Sequence, residues 1–275
     1  MVAVLEVFPF PGEPARVEVL LTGLGPEVAF VTVTRTAGGL TLEVRGAVRA
    51  RVAGALTKID FDVPPNVQVT YRAELFDDAG LPLGFTSTAI VNVPSVKSWM
   101  HNPLNPQGAV AVSLVASAAQ SLSRPYSGQT VRARGRRVGQ IVTSGVRSGL
   151  VGLVLDVRCE TLEDADKVQA LLGEDSVPVI CFRKGSEDVK VRVPTPLYVG
   201  VFDIPEEPFT LHTGGEMTTQ RIQGDEAEPP VPGLFIPLLT RADLNAHYAT
   251  RAAMNADNAT RLALNRRYDL AGSAG

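Results

Sequence analysis

The chain has 275 residues and a formal net charge of −3, with 45% hydrophobic and 20% charged residues and only two cysteines. That length provides for two modest domains, each with a core of its own. The near-neutral charge gives no electrostatic basis for binding nucleic acid or an anionic membrane, and two thiols cannot make a disulfide framework. No apolar run reaches the about eighteen residues of a membrane helix. The opening Met-Val-Ala-Val-Leu-Glu-Val lacks the basic start of a signal peptide, so a soluble protein made in a reducing cytoplasm is expected.

Residues 1–97 alternate apolar and polar at period two, broken by turn signals at Pro11-Gly12, Gly23 to Pro26, Gly38-Gly39, Gly54, Pro64-Pro65 and Asp77 to Gly80. The clearest strand sets Val67, Val69, Tyr71, Ala73 and Leu75 on one face against Gln68, Thr70, Arg72 and Glu74. Others are expected at Val17–Val19, Leu40–Arg45, Val48–Val52 and Ile59–Val63. So many short strands predict an immunoglobulin or fibronectin III-like β-sandwich. Asp60, Asp62, Asp77 and Asp78 could be read as a calcium cluster. However, the first two fall on the polar face of their strand and the others are turn chemistry, so no calcium site is expected.

Residues 98–108 are expected to form a rigid junction outside both domains, because the Asn-Pro pairs at 102/103 and 105/106 force extended or turn geometry. Trp99, the single tryptophan, is the candidate for packing between the domains. Residues 109–222 predict a second β-sandwich or barrel, with strands at Ala109–Val115, Val138–Thr143, Leu150–Cys159, Val177–Phe182, Val189–Val193 and Leu197–Ile204, and a weaker pair near Phe209–Thr213 and Met217–Ile222. One helix is expected over 161–172. Thr161 caps it with Asp164 three residues later, and Leu162, Ala165, Val168, Leu171 and Leu172 form its apolar stripe. Strand parity aims Cys159 and Cys181 at the core, while His101, His212 and His247 are scattered, so no metal site is expected. Arg132, Arg134, Arg136 and Arg137 are the densest basic run. The first three share a strand face with no aromatics between them, which favours an intersubunit contact over nucleic acid.

Residues 223–237 have linker composition. Residues 238–270 then repeat every ten residues: Thr240-Arg241-Ala242-Asp243-Leu244-Asn245, Thr250-Arg251-Ala252-Ala253-Met254-Asn255 and Thr260-Arg261-Leu262-Ala263-Leu264-Asn265. At roughly 100° per residue a ten-residue step drifts around a straight helix, so the arm either winds around a partner or breaks into short helices begun by the threonines. Arg241, Arg251 and Arg261 are its candidate charged contacts, and Leu244, Met254 and Leu264 its apolar ones. A segment this short needs a partner surface.

No nucleophile elbow, phosphate-binding glycine loop, zinc-protease helix or dinucleotide fingerprint is present, so an enzyme is not expected. The order of parts resembles that of minor tail proteins from phages of actinobacteria, related in role to distal tail proteins. The resemblance rests on Ile59-Asp60-Phe61-Asp62-Val63-Pro64-Pro65 leading into Val69–Ala73, on Trp99–Pro106, on Thr161–Leu172 and on the decapeptides. Such proteins commonly carry tryptophan or tyrosine after each repeat threonine, where this chain has arginine. The resemblance implies a structural virion protein of the tail tip, assembled in the host cytoplasm. It would form a homo-oligomeric ring, a hexamer or a trimer, between the tail tube and the tail hub or receptor-binding proteins, with no cofactor and no catalytic residue. A carbohydrate-binding adhesin module is the alternative, and a cell-wall hydrolase a third reading that a cleft of converging carboxylates would favour.

Overall fold

The structure is a computed structural model, and it describes residues 3–10, 12–172, 177–208, 215–230, 241–258 and the single positions 260, 263, 264, 267 and 270. The chain is mainly β and divides into two compact units, residues 1–232 and 233–275. Among the described residues no helix is long and apolar enough to cross a membrane.

Nine strands open the first unit: β1 (Val4–Pro9), β2 (Val17–Thr22), β3 (Phe30–Ala37), β4 (Leu40–Glu43), β5 (Ala50–Arg51), β6 (Leu56–Asp60), β7 (Gln68–Phe76), β8 (Pro82–Phe85) and β9 (Ala89–Asn92). They make two antiparallel sheets, β1-β2-β6 and β4-β3-β7-β8, the second extended by β5 on β3 and β9 on β7. Alternation places Val17, Val19 and Leu21 of one sheet against Val31, Val33, Val69, Tyr71 and Ala73 of the other, in one buried core. Val67, expected on that face, is exposed because the strand begins at Gln68. The strands expected over 40–45 and 48–52 are cut short because the chain turns at Gly46, whose φ of +75° suits glycine. That turn takes Arg45 out of the strand and into the interior.

The rest of the unit comprises β10 (Ser98–Asn102), β11 (Asn105–Leu114), β12 (Tyr126–Val131), β13 (Gln140–Arg147), β14 (Leu153–Cys159), α1 (Leu162–Ala170), β15 (Val179–Arg183), β16 (Leu197–Val201), β17 (Glu206–Pro208) and β18 (Thr218–Glu226). The order β14-β11-β10-β15-β16-β18, with β18 pairing back onto β14, closes a six-stranded barrel. Its core holds Met100, Val112, Leu155, Val157, Phe182, Leu197 and Ile222, with Ala165, Val168 and Leu171 of the helix side packed in. Thr161 caps α1 as its sequence predicts, its hydroxyl accepting from the Asp164 amide at 3.1 Å. Leu162 of the expected stripe is exposed.

Four expectations change. Residues 98–108 are no connector: they form the β10–β11 hairpin, because the extended geometry imposed before Pro103 and Pro106 also suits a strand. Asn102 Oδ1 closes the turn by accepting from Leu104 N at 2.8 Å. Val189–Val193 is irregular rather than a strand, with Val191 and Val193 packed on the barrel core. Residues 223–226, expected in the linker, belong to β18, which runs to Glu226 on main-chain bonds to β14 and β16. At Gly224 a Cβ would lie 1.8 Å from Gly200 O, so the strands meet there only through glycine. Finally, β12 and β13 leave the barrel and, among the described strands, pair only with each other. The strand expected near Phe209–Thr213 lies outside the described residues.

In the second unit the decapeptides break into short helices, α2 (Arg241–His247) and α3 (Arg251–Asp257). Thr250 and Thr260 hydroxyls accept from the amides of Ala253 and Ala263, each at 3.1 Å, so each threonine starts a new turn. Tyr248, at the first break, donates to Asp257 and accepts from Asn258 and Arg267, which ties successive repeats together.

Candidate functional site

The most concentrated chemistry in the described chain lies where the two-sheet module meets the barrel. On the barrel side, register sets His101 opposite Cys181 and Cys181 opposite Tyr198, a row across β10, β15 and β16. Trp99 opposite Arg183 lies one step along. Met100, Ile180 and Phe182 point into the barrel, so this row projects from its outer wall. The opposing module contributes Arg35 from β3, Asp60 at the end of β6, Asp62 just beyond it, Tyr71 from β7 and Arg45 from the turn after β4.

These groups interlock. Arg35 pairs with Asp60, which also accepts from Tyr71 Oη at 2.8 Å, and reaches Tyr198 Oη at 3.4 Å. Arg45 grips both oxygens of Asp62 and donates to Pro103 O in the β10–β11 turn. His101 Nε2 lies 2.9 Å from Asp62 Oδ1. Arg183 donates to Ala15 O and, at 3.5 Å, to Val63 O. Every one of these side chains is buried.

Burial opposes each charge, and the partners decide which survive. For Asp62, Arg45 and His101 outweigh desolvation and hold the carboxyl well below its usual range. Arg35 is likewise desolvated, yet Asp60 with Tyr198, Asp62 and Tyr71 raises its pKa. His101 goes the other way: burial dominates over the Asp62 bond and lowers its pKa to about 4, so the ring is neutral at neutral pH. A neutral ring beside an ionised carboxylate must donate through Nε2, which leaves Nδ1 an unprotonated acceptor. Burial pushes the Cys181 thiol and the Tyr71 and Tyr198 phenols up, so all three stay neutral.

Asp62, His101 and Cys181 bring potential metal-ligand atoms within 4.8 Å of one another. The donor set does not fit a cation. Both Asp62 oxygens are held by Arg45, one of them also by His101, and Arg35 and Arg183 add further positive charge. The arrangement works as a lock between modules. Asp60 and Asp62, expected on a solvated face, are its centre, whereas Asp77 does make the expected turn, accepting from Leu81 N at 2.8 Å. Cys159 lies in the barrel core as expected. Cys181 is buried in the seam instead, because both faces of β15 are covered and its parity belongs to the outer one.

Apart from Trp99, which neighbours Arg183 at the edge of this seam, the other candidates lie away from it. Trp99 is half-buried on the outer wall of β10. Arg132, Arg134 and Arg136 share no strand face: with Arg137 they form the exposed tip joining β12 to β13, where Arg136 N bonds Ala133 O at 3.0 Å. The tip and the ribbon below it expose apolar side chains: Val138 at the tip and Ile141 on β13 at 79% and 77%, with Val131, Val142 and Val146. Arg241 and Arg251 are exposed on α2 and α3, and Leu244, Met254 and Leu264 are half-buried in the second unit. Arg261 and His212 lie outside the described residues.

A pocket of about 360 Å³ beside β10 and β11 gathers Glu160, Asp164, Glu187 and Asp188. Two of these carboxylates are already in use. Asp188 accepts from Ser98 Oγ and from Leu114 N, and Asp164 accepts from Thr161 Oγ1. The remaining Glu160 and Glu187 are exposed, unlike the desolvated acid a glycosidase needs. No known protein family, no characterised protein and no solved structure matches this chain.

Proposed function

We propose that this chain is a structural assembly subunit, and specifically a tail-tip protein of a phage infecting actinobacteria, forming a symmetric ring between tail tube and hub or receptor-binding proteins. The observation that carries the reading is the β12–β13 ribbon. A lone two-stranded ribbon is marginal in water, and exposed valines and an isoleucine along it ask for a partner surface. The locked seam supports the same reading, since a subunit that bears load gains from two modules that cannot pivot. The two-sheet module fits an immunoglobulin or fibronectin III-like β-sandwich in this role, and the repeats of 238–270 a docking arm for a neighbouring tail protein. For the adhesin and hydrolase readings, the described residues offer no matching groove of aromatics and no desolvated acid in the pocket beside β10 and β11.

Mass photometry of the full chain tests this. A closed oligomer of fixed size is expected, with Val138→Asp/Ile141→Asp reducing it to monomers whose circular dichroism is unchanged. A chain that stays monomeric at every concentration, or a variant that assembles equally well, overturns the reading.

A further inference from the structure

The seam holds more positive than negative charge. Among the described residues joined by hydrogen bonds across it, Arg35, Arg45 and Arg183 meet two carboxylates, each already matched: Asp60 to Arg35 and Asp62 to Arg45. Among the described residues, no carboxylate pairs directly with Arg183. Its terminal nitrogen is met by two main-chain carbonyls, which carry partial charge only, and Asp62 and Asp60 act on it from a distance. The other titratable groups facing it, His101, Cys181 and Tyr198, are neutral, so none supplies the missing charge.

Among the described residues, two buried donors on neighbouring positions of the same wall have no acceptor. Arg183 Nε and Trp99 Nε1 both lie out of solvent without a hydrogen-bond partner. Trp99 and Arg183 are directly opposed on β10 and β15, so their side chains leave the barrel wall on the same face as neighbours. A buried N–H left without an acceptor is costly, and a buried cation without a counter-charge more so. One group would answer both: a small, diffusible acceptor carrying a negative charge. A larger anion or a side chain from another molecule could not reach donors closed off from solvent.

We propose that the Trp99–Arg183 pair binds a small monovalent anion of chloride size, which completes the charge balance of the seam and makes the union of the two modules halide-dependent. The indole N–H and the guanidinium Nε–H donate to the ion, and the Arg183 charge neutralises it. The bare Nδ1 of His101, an acceptor, takes no part.

The test compares thermal unfolding of the full chain at pH 7 in sodium chloride and in sodium gluconate of equal ionic strength, gluconate being too bulky for a closed site. The melting temperature should rise with chloride by roughly 3–6 °C for each tenfold increase above the dissociation constant, and not with gluconate. Trp99→Phe keeps the ring and removes the donor, and Arg183→Gln removes the charge. Either should abolish the difference between the salts, while a crystal grown in bromide should show an anomalous peak between the two side chains. Equal melting temperatures in both salts, a chloride effect that survives Trp99→Phe, or a bromide crystal without that peak would overturn the proposal and assign the donors to water.

Discussion

His101 on the barrel donates its Nε2 proton to Asp62 of the neighbouring module over 2.9 Å, within a seam where neither residue reaches solvent. The bond joins two β modules that each have a separate hydrophobic core. It also couples their union to acidity. An unfolded histidine titrates near 6.5, whereas this one is held at about 4 by burial, so between those values the unfolded chain binds a proton that the folded chain refuses. Stability therefore falls as pH drops from about 6.5 to about 4, by roughly 3 kcal/mol in total. Below that, the stability that depends on ionised Asp62 is lost as well, since its pKa is depressed and protonation breaks the Arg45 pair. Melting temperatures across this range should slope downward on acidification. His101→Gln, which keeps a donor but cannot titrate, should flatten the slope above pH 4.

Arg45 and Asp62 should be mutually dependent. Removing one partner of a buried pair strands the other charge, so Arg45→Met is expected to cost about 3–5 kcal/mol. The double variant Arg45→Met/Asp62→Leu should recover much of that loss. Denaturant unfolding of the two singles and the double checks this, and additive losses would show that the two side chains act separately.

Both thiols should be inert in the folded protein. Burial raises Cys159 to about 11 and raises Cys181 further, and both side chains are enclosed, so thiolate is scarce at neutral pH. A chromogenic disulfide reagent should label both cysteines only after denaturation. Fast labelling of Cys181 under native conditions would mean that the seam opens.

The repeats should be separable from the β unit. Because residues 233–275 are a compact unit of their own, deleting 238–275 should leave the melting temperature of the remainder within a degree or so while impairing entry into assembled particles. Thr250→Ala removes the hydroxyl that caps α3 and should lower the helical signal of this segment, the loss of such a cap being typically about 1 kcal/mol. Normal occupancy of the truncated chain in particles would rule out a docking role.

What could be read in the sequence followed from whether one face of an element is wet. Val69, Tyr71 and Ala73 alternate with polar residues because the outer face of β7 meets solvent, and the Thr161 cap with Ala165 and Val168 marks α1 for the same reason. β15 has all five residues buried, so its parity could not say which face holds Cys181 and Arg183. The seam did leave a trace: Arg35 shares parity with Val31 and Val33, and Asp60 lies opposite Val17. A charge in an apolar row signals a buried partner. Which partner it takes is fixed by the packing of strands remote in sequence. The ribbon was obscured because Ser127-Gly128-Gln129-Thr130 carries no apolar alternation, its pairing being satisfied by β13 alone.

The most direct test of an assembly subunit is an electron cryo-microscopy reconstruction of the purified, assembled protein. A closed ring is expected in which the β12–β13 ribbon of each copy, with Val138 and Ile141, lies buried against a neighbour and Arg132, Arg134 and Arg136 meet acidic side chains. A ring whose ribbons project freely into solvent, or particles of a single copy, would contradict it.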